Sequence, residues 1–161
     1  MTPDDESTAT PPPLISQFQE ALTVAAAEIA GASRELEAPI EEVERYLASL
    51  KIHVPAWVEV KCWETQHEFW RRELGYDYVD QGWHIAVRET EGNHHDPEDT
   101  LARTWPFNKT PRKSRISAID KLPELMQDII KEAQKTARRL REKAAEANAF
   151  AAPLKATRAK K

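Results

Sequence analysis

The chain has 161 residues, 40% of them apolar, 31% charged, and a formal net charge of −4, the composition of one folded domain with a single modest core. A lone cysteine, Cys62, excludes an internal disulfide, and the acidic opening Asp4-Asp5-Glu6 is the reverse of a basic-then-apolar secretory leader, so a cytoplasmic protein is expected. The glycines Gly31, Gly75, Gly82 and Gly92 lack phosphate-loop or dinucleotide spacing, and no apolar stretch approaches the roughly 20 residues of a membrane span.

Residues 1–13, with Asp4, Asp5, Glu6 and Pro11-Pro12-Pro13, are too polar and proline-rich to bury apolar area, and a disordered tail is expected there. From Ile15, apolar residues recur at Phe18, Leu22, Ala25, Ile29, Ala32, Leu36, Ile40, Val43, Leu47 and Leu50, steps of three and four that predict a helix over 14–51. Pro39 sits inside the doubled step of four and predicts a bend near Ala38. Val54, preceding Pro55, is expected to be extended.

The segment 56–107 contains all five tryptophans and predicts a three- to four-stranded antiparallel meander. Ala56, Val58, Val60 and Cys62 alternate with Trp57, Glu59, Lys61 and Trp63, a half-buried strand with Cys62 inward and both tryptophans on the opposite face. Residues 63–74 fit both a helical stripe and a strand, and a loop entering a strand at about Phe69 is the preferred reading. Tyr76 and Tyr78, then Asp80-Gln81-Gly82, then Trp83, Ile85 and Val87, form a hairpin pattern around a short glycine-containing turn. Glu91 to Thr100 reads as a polar loop, and Leu101, Arg103 and Trp105 as a last strand ended by Pro106.

Thr110 as N-cap and Pro111 at the first helical position predict a second helical region, 112–148, with Ile116, Ile119 and Leu122 inward. After Pro123 the stripe continues through Met126, Ile130, Ala133, Ala137, Leu140, Ala144 and Ala147, and residues 151–161 are expected to be a loose basic tail. Helices over 14–51 and 112–148 would each be about 50 Å long. Matched lengths predict a long antiparallel helical hairpin with the small meander between, an α+β domain over 14–150.

Little in this pattern names a reaction. His94, His95 and Asp96 supply metal-binding groups, but adjacent side chains of extended chain point apart and no second cluster stands at ligand spacing, so a solvated loop tip is expected, with no metal or cofactor assigned; whether these three bind a metal stays open. Cys62 and His67 lack an orienting third group, and Glu64, Glu68 and Glu73 beside Arg71 and Arg72 read as surface, so no catalytic residue is assigned and an enzyme is the less favoured class. Trp57 and Trp63, on one face, are candidates for an aromatic partner surface.

The charges are unevenly spread: residues 1–100 hold 7 Lys and Arg against 21 Asp and Glu, residues 101–161 hold 16 against 6. Lys109, Arg112, Lys113 and Arg115, and later Arg138, Arg139 and Arg141, are candidate phosphate or partner contacts. The same cations can answer the acidic first helix, Glu20, Glu28 and Glu35 facing the later cluster and Glu41, Glu42 and Glu44 approaching Lys121 and Arg112. The leading expectation is a non-enzymatic protein-protein interaction or assembly module, with a protein partner or self-association through the long helices. The alternative is a nucleic-acid-binding or nucleic-acid-associated regulator using the basic C-terminal third.

Overall fold

The computed structural model describes residues 13–158; apart from Pro13 the expected acidic tail lies outside the described residues, as do residues 159–161 of the basic tail. The architecture is α+β: α1 (Pro13–Ser49), then β1 (Ala56–Glu64), β2 (Glu68–Val79), β3 (Gly82–Asn93) and β4 (Asp96–Pro106), then α2 (Arg112–Ala118) and α3 (Leu122–Arg158). Two compact units divide the chain, one ending at Pro39 and the other beginning at Ile40. In the first, α1 is continuous helix up to and through Pro39, and every residue from Leu14 to Ala30 is exposed.

The second unit opens with the last turns of α1, which bury Ile40 and Leu47. The helix stops where Lys51 takes a left-handed φ of 52°. Ile52 N–H then bonds Leu47 C=O at 3.4 Å and Lys51 N–H bonds Ala48 C=O at 3.0 Å, a paired closure that satisfies carbonyls the helix end would leave open.

The four strands follow one another in space as in sequence, each antiparallel to the next. Leu74 and Tyr76 of β2 stand opposite Val87 and Ile85 of β3, and Val58 and Ala56 of β1 stand opposite Leu74 and Tyr76, so one sheet face collects the apolar set. These residues, with Phe107, Ala118, Leu125 and Ile129, are buried. Among them, each fully buried valine, leucine, isoleucine or phenylalanine side chain contributes about 1.5–3 kcal/mol of transfer free energy.

Several details differ from expectation. The register of β1 shifts between Glu59 and Lys61. A bulge there reverses the inward-outward phase, so Cys62 is exposed instead of buried. The β2–β3 turn is made by Asp80 and Gln81, with φ of 51° and 67°; Gly82 is the first residue of β3, paired with Val79. Residues 91–100 are not a loop: β3 runs to Asn93, His94 and His95 make the turn, and β4 starts at Asp96. Pro97 is compatible because β4 is an edge strand.

Thr110 does not cap α2. Its hydroxyl donates to Pro106 C=O at 3.1 Å, and Pro111 is the N-cap. The buried residues of α2 are Ser114, Arg115 and Ala118, whereas Ile116 is 60% exposed. The reason is polar anchoring: Arg72 Nη1 donates to Ser117 Oγ at 2.9 Å, and Ser114 Oγ donates to Glu89 Oε1 at 3.1 Å, fixing which side of the short helix meets the sheet. In α3 the core is reached by Leu125 and Ile129, leaving Ile130 and Leu140 of the expected stripe exposed. The helix also continues past the expected end at 148, through Pro153 to Arg158, carried by the high helix propensity of Ala144, Ala145, Ala147, Ala149, Ala151 and Ala152.

Candidate functional site

Trp57 and Trp63 do not share a surface. Trp57 pairs with Gly75 and Trp63 with Trp70, five residues apart on β2, so the β1 bulge places them on opposite sheet faces. Trp57 lies flat over Gly75, where an added Cβ would fall 2.2 Å from the indole ring. Its Nε1 donates to Asp77 Oδ2 at 3.1 Å, and the Arg88 guanidinium covers it 4.0 Å from the ring centroid. Arg88 in turn donates to Glu73 Oε2 at 2.8 Å. Trp57 is therefore held within a polar lattice. Trp63, 48% exposed, and the exposed Leu101 line an open groove, both on the helix-bearing face of the sheet.

The first basic cluster is consumed by the fold in part. Lys109 pairs with Asp80, and hydrogen bonding to that ammonium holds the Asp80 carboxyl below the usual carboxylate range. Arg115 is only 8% exposed, while Arg112 and Lys113 are exposed at the start of α2. On α3, Lys135 pairs with Glu132 and Lys143 with Glu146, each within one turn. Arg138, Arg139 and Arg141 are exposed, with no carboxylate partner among the described residues. The glutamates of the last turns of α1 are also engaged. Glu42 pairs with Arg45, and Glu41 accepts from Asn108 at 3.3 Å. Glu44 accepts the Ile85 N–H at 2.8 Å, because the β3–β4 ladder stops at the Ala86–Pro106 pair and leaves that donor unmatched.

A histidine grouping unseen in the sequence forms at the far tip of the sheet. The β1–β2 and β3–β4 turns meet there: His94 N–H donates to His67 C=O at 2.7 Å, and the His67 and His95 rings lie 5.2 Å apart. His94 Nε2 is 3.0 Å from Glu64 Oε1. The signal was the placement of His67 in one turn and His94-His95 in another, visible only once both turns fall at the same sheet end. Among the described residues no group of three or more His, Cys, Asp or Glu side chains is arranged to hold a metal ion. Nor is a nucleophile activated: the exposed Cys62 thiol donates to Glu59 Oε1 at 3.0 Å, a bond that raises its pKa. Glu73 is committed to Arg88, and Arg72 to Glu89 at 2.8 Å.

The least satisfied surfaces are helical. On α1, Leu14, Ile15, Phe18, Leu22, Val24 and Ile29 are between 45% and 69% exposed. On α3, Ile130, Leu140, Phe150 and Leu154 are between 55% and 81% exposed. No described helix is long and apolar enough to cross a membrane. Comparison with family models, with curated proteins and with solved structures finds no match to this chain.

Proposed function

We propose that this chain is a non-enzymatic protein-protein interaction or assembly module whose working surface is the exposed apolar seam of α1 together with that of α3. The observation that carries this reading is the exposure of every residue from Leu14 to Ala30 on a helix with apolar residues at steps of three and four. A stripe of that kind left in water is costly, and a lone helix of this length is marginal without a packing partner. Antiparallel pairing of the two seams, within one chain as a helical hairpin or between two chains, is the coiled-coil form such surfaces take. The single cysteine suits a reducing, cytoplasmic setting.

The test is a chain carrying Leu22→Glu and Ile29→Glu. Sedimentation and partner capture should fall to the level of a non-associating monomer, while circular dichroism retains the sheet signal. Unchanged association in both assays would sink the proposal.

A second reading, nucleic-acid binding, is favoured by Arg138, Arg139 and Arg141 standing exposed without carboxylate partners among the described residues. Phosphate contacts from these side chains would give salt-sensitive, sequence-independent affinity. Titration with DNA and RNA at low and at physiological salt separates the two readings, since absence of binding at low salt eliminates this one.

A further inference from the structure

We infer that the α1 seam docks on the α3 seam of a second copy of this chain; this rests on the reading of both seams as the working surface. Charge selects the combination. Residues 13–39 carry four Glu against one Arg, whereas residues 131–146 carry six Lys and Arg against three Glu. Two α1 segments would bring together two acidic helices, and two α3 segments two basic ones; only the mixed pair brings opposite signs together.

Side-chain size selects the same pair. In an antiparallel register Phe18 would meet Ala144 and Ile29 would meet Ala133, bulky against small, while Leu22 would meet Leu140. The alanine-rich seam of α3 allows close approach but cannot fill an interface against itself.

Both seams carry exposed leucines: Leu22 is 69% exposed and Leu140 66%. Reciprocal exchange between two copies would use each seam once on each chain, so the contact would form twice.

The experiment uses the full chain with Cys62→Ser, in two differently tagged forms, one carrying Leu22→Cys and the other Leu140→Cys, mixed under mild oxidation. The expected result is a disulfide-linked dimer bearing both tags, scarce when either form is oxidised alone and lost when Phe18→Glu is added. Sedimentation of the unmodified protein should show a dimer whose dissociation increases with salt, as screened opposite charges require. A concentration-independent internal link in one chain carrying both cysteines, or links only between two Leu22→Cys chains, overturns the inference while the seams keep their role. No link of any kind, with Leu22→Glu leaving sedimentation unchanged, overturns both the inference and the functional reading. Circular dichroism of each variant confirms folding; the exposed positions carry no core contact to lose.

Discussion

Cys62 donates its thiol proton to Glu59, and that bond, reinforced by the carboxylate's charge, raises its pKa above the ordinary thiol value. A raised pKa means less thiolate at mildly alkaline pH and slower attack on electrophiles. Replacing Glu59 by Gln removes the charge that opposes thiolate formation, so alkylation of Cys62 at pH 8 should become faster and its rate-pH profile should move to lower pH. Equal rates in the two proteins would show that the carboxylate does not control the thiol. The alternation Ala56, Val58, Val60, Cys62 pointed inward, and it was correct for Ala56 and Val58, which are buried. A bulge is a one-residue event with no composition of its own, so nothing local announced that Cys62 and Trp63 would exchange faces. Gly75 did carry a signal, because an isolated glycine within a strand marks close approach of another group. Which group approached, the Trp57 ring, depended on pairing of β1 with β2.

Among the elements, the β2–β3 hairpin was the most legible, since apolar alternation on both sides of Asp80-Gln81-Gly82 leaves few other readings. Its turn nevertheless uses two non-glycine residues with positive φ. Such turns match strand twist when both central residues adopt left-handed backbone, a conformation that glycine takes without the steric cost a Cβ imposes. Gln81→Gly should therefore stabilise the protein by about 1 kcal/mol, the left-handed penalty of a residue with Cβ partly offset by glycine's greater entropy when unfolded, read as a higher urea midpoint with an unchanged slope; a lower midpoint would mean that Gln81 makes a compensating contact. Residues 91–100 were less legible because their polarity and Pro97 imitate a loop. An edge strand with its side chains in water needs neither apolar alternation nor every N–H, which lets the same composition pair with β3. Helix periodicity was similarly informative about existence and not about phase. On α3 the true inward positions, Leu125 and Ile129, adjoin the expected Met126 and Ile130, and on a helical cylinder a one-residue displacement is a rotation of about 100°.

At the scale of the molecule, every buried apolar residue among those described lies at Ile40 or beyond. The sheet, the last turns of α1, α2 and the start of α3 thus contain a complete core, and a chain beginning at Ile40 should fold. Its thermal midpoint should lie within a few degrees of the full chain's when both are measured as monomers, a shift expected of changes below about 1 kcal/mol. A large drop would assign residues 13–39 a stabilising role in the monomer. Length, periodicity and turn residues were sufficient for the two long helices flanking an antiparallel sheet, because those signals act over a few residues and leave their mark in local sequence. They were also sufficient for the acidic and basic asymmetry. What only the tertiary structure decided was which side of each element is spent on the core, which cations are neutralised, and which apolar stripe is left over. Lys109 is tied to Asp80 by pairing across 29 positions, and Trp57 is parted from Trp63 by a bulge. Such outcomes follow from register and rotation, quantities fixed by contacts between distant segments, whereas the α1 seam was visible in the sequence but its exposure was not.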